Sequence, residues 1–347
     1  MKLGAHFLPE NLPTYLDSIR AAEAAGYERA WHVDGQMLWQ DLYVYMAHGL
    51  AATERIVVGS GVTNPLTRHY TVTASAHATL VHLHPGRVIL GIGRGDNAVR
   101  TIGYEPVPLA TMRSAVPRLR ALIAGRALAE NGKEIRIRWA GEEVPIMLPA
   151  TGPRSLRVAG TLADIVMIYV GVHPTSVAWA IDHVRAGAED AGRDPADVEI
   201  AALCAVWISE DQQEAWERCR WAPAACANHI AHTMRSNPDH GMPEEMTRLV
   251  QARDEYDYYA GHLDSDAAHT SYLTGERVDD FVIAGPPERC LERIRTLAEL
   301  GVDEISCAYL NGELAQMERV GGEIIPHLAE LSTLSLRTSG GAAGRRS

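Results

Sequence analysis

The chain has 347 residues, 46% of them hydrophobic and 22% charged, the balance of a soluble globular protein long enough to bury a sizeable core. A formal net charge of -12, with a pI near 5.7, argues against a nucleic-acid surface, and the only basic run is the terminal GRRS. No window approaches the roughly 18 apolar residues of a membrane span, and MKLGAHFLPENLP lacks a signal-peptide apolar core, so a cytoplasmic location is expected.

Short apolar runs alternate with amphipathic stretches along the chain, the rhythm of βα units. KLGAHFL reads as a strand, and LPTYLDSIRAAEAAG follows at helical spacing with a glycine where the helix should stop. YERAWHVD and LWQDLYVYMAHGLAAT form the second unit. RIVVGSGV with TVTASAHATLVHLHPG forms the third, and RVILGIG with ATMRSAVPRLRALIAG the fourth. A polar patch, LAENGKEIRIRWAGEE, then carries the turn signal Asn131-Gly132.

The pattern resumes with VPIMLPA and GPRSLRVAGTLA, then DIVMIYV and PTSVAWAIDHVRAGAEDAG, and a seventh strand in DVEIAALCAVWIS. After EDQQEAWERCRWA an irregular stretch, about residues 223–277, is rich in His, Tyr, Met and Asp. PPERCLERIRTLAELG, VDEISCAYL and QMERVGGEIIPHLAEL close the series. The expectation is one domain over 1–331, a (β/α)8 TIM barrel with a helical insertion between strands 7 and 8, and a disordered tail over 332–347. A doubly wound sheet would rest on GIGRGDNAVRTIG, but the spacing there is G-x-G-x-G and no acidic residue ends a suitable next strand.

Five cysteines, odd in number and without Cys-x-x-Cys, point to reduced thiols. His229 and His232 in NHIAH share a helix face, but no cysteine or carboxylate joins them at metal-ligand spacing, so a plain helical surface is expected and no metal.

Barrel chemistry sits on the loops after the strands. That rule picks out His6; His32 and Asp34; Gly61 to Asn64; Arg94 and Asp96; Thr151 to Ser155; Tyr169 and Gly171; Tyr309 and Asn311. TGPRS puts Gly152, Pro153, Arg154 and Ser155 at a helix start, where free amides, the helix dipole and a guanidinium suit phosphate; an ordinary helix start with an exposed arginine is the plainer reading. In GRGDN, Gly95 allows close backbone approach and Asp96 is either an orienting group or a helix cap. His32 and Asp34 alternate along a strand and so are expected to point together into the barrel mouth, as an acid–base pair or as structural polar residues. Tyr256, Asp257, Tyr259 and His262 have the composition of a lid or of a solvated helix.

The block VVGSGVTNPLTRHYTVTASAHATLVHLHPGRVILGIGRGDN resembles the core signature of the bacterial-luciferase-like superfamily. The likeness is nearest to its methylenetetrahydromethanopterin-reductase-like branch, whose members typically use the deazaflavin coenzyme F420. TGPRSLRVAGTLADIVMI and IAGPPERCLERIRTLAELGVDEISC match the same superfamily, so the resemblance runs from about Lys2 to Leu331. It implies a barrel carrying a flavin or deazaflavin at the strands' C-terminal ends. It also implies a non-prolyl cis bond at Gly61-Val62 supporting the ring, with Thr63 and Asn64 at the ring's polar edge. Gly152, Arg154 and Ser155 take the phosphate in this reading, Gly171 lets the cofactor tail pass, and Arg94 and Asp96 complete the cofactor set. His6, His32 and Asp34 are the candidate proton donors or orienters. The implied activity is F420-dependent hydride transfer to or from a small organic substrate. The alternatives are FMN-dependent monooxygenation fed by a partner reductase and a cofactor-free binding protein on the same scaffold. A homodimer is expected.

Overall fold

In parallel strands buried on both faces, side chains are apolar almost without a break, and the short strands of this chain have that character. The structure, a computed structural model, describes residues 1–251, 263–267, 270–309 and 313–328. Its first half runs β1 (Lys2–Phe7), α1 (Leu12–Ala25), β2 (Arg29–His32), α2 (Leu42–Ala52), β3 (Val57–Ser60), α3 (Tyr70–Leu83) and β4 (Val88–Gly91). After the short α4 (Asn97–Arg100) come α5 (Leu109–Ile123) and a hairpin, β5 (Leu128–Glu130) and β6 (Lys133–Ile135). Asn131 and Gly132 both have positive φ at its tip, as a two-residue hairpin turn requires.

The series continues with β7 (Ile146–Ala150), α6 (Pro153–Leu162), β8 (Ile165–Ile168), α7 (Pro174–Asp190) and the ten-residue β9 (Glu199–Ile208). Next come α8 (Gln212–Cys219), α9 (Trp221–Ser236), α10 (Glu244–Gln251) and α11 (Gly275–Asp279). The described chain ends with β10 (Val282–Gly285), α12 (Pro287–Leu300), β11 (Glu304–Ala308) and α13 (Leu314–Glu323). The helix ends follow capping chemistry: Asn11 accepts from the Thr14 amide, Asp41 from those of Tyr43 and Val44, and Gly26 and Gly301 end α1 and α12 at positive φ.

Eight strands close into a parallel barrel in the order β1-β2-β3-β4-β7-β8-β9-β11, with β11 returning to β1. A ninth strand, β10, which the sequence pattern did not reveal, lies outside the ring. It pairs with Ala205 to Ile208 of β9, while β11 pairs with Ala201 to Ala205. The stretch read as irregular holds most of α9, all of α10 and the start of α11.

Trp31, Ile89, Met147, Ile165, Met167 and Ala201 pack the barrel interior, and a second, larger apolar cluster lies between barrel and helices. At the barrel's lower end Arg29 joins Glu199 and Glu304, and Trp31 Nε1 donates to Glu304 Oε1 at 2.8 Å. Among the described residues no helix is long and apolar enough to cross a membrane. The proposed lid residues Tyr256, Asp257, Tyr259 and His262, together with Asn311 and the 332–347 tail, lie outside the described residues.

Candidate active site

At the strands' C-terminal ends a cavity of about 370 Å³ is bounded by the loops after β1 to β4, β7 and β8, by β9 and β11, and by helix α9. Gly61 and Gly93 line it, and neither has room for a side chain. A Cβ on Gly93 would lie 2.9 Å from Val62 Cγ2, and one on Gly61 would lie 3.0 Å from Trp31 Cβ and 3.4 Å from His6 Cε1. The Gly61–Val62 peptide bond is cis.

Asn64 lines the same cavity. Its Oδ1 accepts from the amides of Leu66 and Thr67 at 3.0 and 2.9 Å, which fixes the amide orientation. Its Nδ2 is therefore a donor, and it is buried with no partner among the described residues. Buried polar groups are almost always paired, so this atom marks a place where a ligand acceptor belongs.

His6, Asp34, Val62, Arg94, Asp96, Gly152 and Ser155 also line the cavity, as expected from sequence. Asp34 Oδ2 accepts from Thr63 Oγ1 at 2.8 Å and from Arg68 Nη1 at 2.6 Å. Burial raises the Asp34 carboxyl above its ordinary range, and the Arg68 charge and these bonds offset part of that rise. His6 Nε2 contacts Ser306 Oγ at 2.9 Å, and burial pushes the imidazole down to about 3. Asp96 is engaged by Arg100 Nε at 2.9 Å and stands 3.6 Å from His229 Nε2. Arg94 donates through Nε to Val107 O at 2.6 Å.

Three expected residues lie elsewhere. His32 does not share a direction with Asp34, because β2 ends at His32 and Asp34 lies beyond the alternating strand. Its ring turns to the helix layer, where Nε2 meets Tyr15 OH at 2.6 Å and Nδ1 meets Gly59 O at 3.2 Å. With 0% exposure and a pKa pushed down to about 4 by burial, it is a neutral core histidine. Thr63 is buried behind the wall and serves Asp34 rather than the cavity. Gly171, at φ 80, is pressed against Asp280 O and the Phe281 ring, where a Cβ would lie at 2.6 and 2.8 Å, so its glycine answers to packing.

A second hollow of about 200 Å³ adjoins the first around the N-terminus of α6, with Arg94, Gly152, Pro153, Arg154, Ser155, Thr233 and Asn237. Ser155 Oγ accepts from Gly152 N at 3.1 Å, tying the first turn, and Arg154 is exposed without a partner among the described residues. First-turn amides and a free guanidinium suit an anion.

Helix α9 corrects the reading of NHIAH as plain surface. Ala222, Ala225, His229, His232 and Thr233 form one helical face, and that face walls the cavity. His229 stands edge-on to Tyr169, and Arg100 Nη2 donates to His232 Nδ1 at 3.2 Å. Burial and the nearby Arg100, Arg94 and Arg235 lower the His232 pKa. Among the described residues no group of three or more His, Cys, Asp or Glu side chains is placed to hold a metal ion. The five cysteines are free and buried. Sequence reasoning missed Arg68, Ser306 and Trp39; Arg68 and Ser306 sit within stretches that carry the family resemblance, but no spacing marks any of the three.

A closed parallel barrel with a glycine-walled, donor-bearing cavity at its C-terminal rim and an anion-suited helix start beside it defines a cofactor-binding barrel of the enzyme type. Residues 3–304 match the family model described as luciferase-like monooxygenase, and the chain belongs to that family. It is 30% identical over 342 residues to the 5,10-methylenetetrahydromethanopterin reductase of Methanolobus tindarius, covering 94% of this chain and 100% of the relative. It is 29% identical over 297 residues to an F420-dependent glucose-6-phosphate dehydrogenase of Microbacterium testaceum, covering 80% of each. Among solved structures, the F420-dependent tetrahydromethanopterin reductase of Methanopyrus kandleri superposes with a TM-score of 0.73 at 23% identity, covering 94% of this chain and 99% of that one, and so shares the fold.

Proposed function

We propose that this protein is an F420-dependent oxidoreductase that transfers a hydride between the deazaflavin and a small organic substrate in the 370 Å³ cavity. The observation that carries it is Asn64 Nδ2, a buried donor without a partner among the described residues, on a cavity walled by Gly61 and Gly93. A flat heteroaromatic ring bearing acceptor atoms fits that combination, and relatives named as F420-dependent support the choice of ring.

Gly61, Val62, Gly93 and Asn64 would hold the ring. Gly152, Arg154, Ser155 and Arg94 would hold a phosphate. When bound, the deazaflavin supplies the hydride acceptor or donor. The chain's own residues orient the ligands and exclude water: α9 covers the cavity, Asp34 offers a carboxylate fixed by Thr63 and Arg68, and His6 offers a neutral imidazole.

Titration with F420, followed by its fluorescence, is expected to give saturable binding; none at high micromolar concentration overturns the proposal. The family's description supports a second reading, an FMN-dependent monooxygenase supplied by a partner reductase, and preferential FMN binding would replace the first reading with it. Failure to bind either would leave a cofactor-free binding protein. The proposal extends to a cytoplasmic homodimer, checked by sedimentation and by localisation of the tagged chain.

A further inference from the structure

Ser306 lies on β11 with no exposed surface, and its hydroxyl has one partner among the described residues, His6 Nε2 at 2.9 Å. A hydroxyl carries one proton to donate. If the imidazole donated through Nε2, the Ser306 proton would be left in the interior without an acceptor, a costly arrangement. If Ser306 donates to Nε2, both groups are satisfied and the proton of the neutral ring sits on Nδ1. Burial keeps the ring neutral, with its pKa pushed down to about 3.

Nδ1 has no partner among the described residues, and the ring lines the cavity next to Gly61. Trp31 stacks on the ring at 6.5 Å and 29° and limits its rotation. Trp31 is held in turn by Glu304.

We propose that Ser306 is a positioning residue that fixes His6 in its Nδ1–H tautomer, making the imidazole a neutral hydrogen-bond donor to a carbonyl oxygen of a ligand in the cavity. The shared chemistry is a carbonyl acceptor, carried either by the cofactor ring or by a ketone substrate. The assignment of that acceptor rests on the proposed function; the tautomer does not.

The test is a long-range 1H–15N spectrum of the free protein, with the His6 signals identified by their loss in H6Q. Expected are a protonated, pyrrole-type Nδ1 and a pyridine-type Nε2, unchanged from pH 8 to pH 5. Ser306→Ala is expected to move the proton to Nε2, and Ser306→Thr, which restores the hydroxyl, to return it to Nδ1. The other histidine signals, unchanged, certify the fold of each variant. An Nε2–H ring in the native protein overturns the proposal, and so does a tautomer indifferent to S306A.

F420 and cyclohexanone are then added separately. A shift of Nδ1 with F420 assigns the acceptor to the cofactor, and a shift with cyclohexanone assigns it to the substrate. No shift with either overturns the donor role. Failure of F420 to bind would overturn the proposed function alone, because the tautomer and ketone measurements do without it.

Discussion

The Arg68 guanidinium lies 2.6 Å from the Asp34 carboxylate, which is only 3% exposed on a wall of the cavity. Its other nitrogen reaches Asp41 at 2.8 Å, and its charge sits 5.0 Å from the centre of the Tyr43 ring. Burial already raises Asp34, with Arg68 as the main opposing influence. Arg68→Met is expected to raise it further. A carboxyl raised in the folded state contributes stability at low pH that is lost as pH climbs through the folded value. The R68M protein should therefore be less stable than wild type by about 3 kcal/mol at pH 8, with the gap narrowing toward pH 5. Urea unfolding at the two pH values checks this, and an equal gap at both counts against it.

Asn64→Asp separates the two ends of one side chain. A carboxylate oxygen still caps the amides of Leu66 and Thr67, so the loop holds. The unpaired donor is gone, and a charged acceptor faces the ligand. F420 affinity is expected to fall about tenfold to a hundredfold, or about 1.4–2.8 kcal/mol, and the second carboxylate oxygen, buried where the donor was, should also lower the melting temperature. Undiminished binding would remove Asn64 from the site.

Gly152 meets helix α9 at Thr233. A Cβ on Gly152 would lie 2.4 Å from Thr233 Cγ2 and 3.0 Å from its Oγ1. Gly152→Ala should push the two helices apart and cost about 1–3 kcal/mol, weakening any anion held at the α6 N-terminus. Adding Thr233→Ala removes both clashing atoms, so the double variant should recover most of the loss. A strictly additive pair would show that the contact is not the cause.

His77 is buried, donates through Nδ1 to Thr73 O at 3.1 Å, and has its pKa pushed down to about 4, chiefly by burial. The Arg68 charge lowers it further, and the Tyr43 ring stands edge-on to it. Between the ordinary histidine value and pH 4 the unfolded chain binds a proton there that the folded chain does not. Stability therefore falls as pH drops, by about 1.4 kcal/mol per pH unit for this group. His77→Gln should flatten the measured slope by close to one proton. An unchanged slope would mean that His77 is already charged in the folded protein.

The eight barrel strands were legible because parallel strands with both faces buried leave continuous apolar runs punctuated by glycine and polar turns. Strand β10 was not. Its run, Val282 to Gly285, is as long as that of β2 or β3, but it follows directly on the stretch read as irregular, and its one partner is the far end of β9. The site was legible where chemistry follows directly from chain position, as at His6, Asp34, Asn64 and the α6 start. It failed at His32, where extending strand alternation two residues past the strand's end reversed the ring's direction. Ser306 and Arg68 acquire their roles through partners 300 and 34 residues away, a relation no local pattern carries.

Strand β9 divides its labour along its length, closing the ring with residues up to Ala205 and carrying β10 from Ala205 outward. The chain that leaves at Ile208 and returns at Val282 thus departs from and rejoins a bracket mounted beside the barrel. Lengthening or rewriting that excursion, the cavity-facing side of α9 included, leaves every ring-closing strand pair intact, and loop length itself is thermodynamically cheap. Ligand preference can drift in one part of the gene while the frame that holds the reactive ring stays still in another.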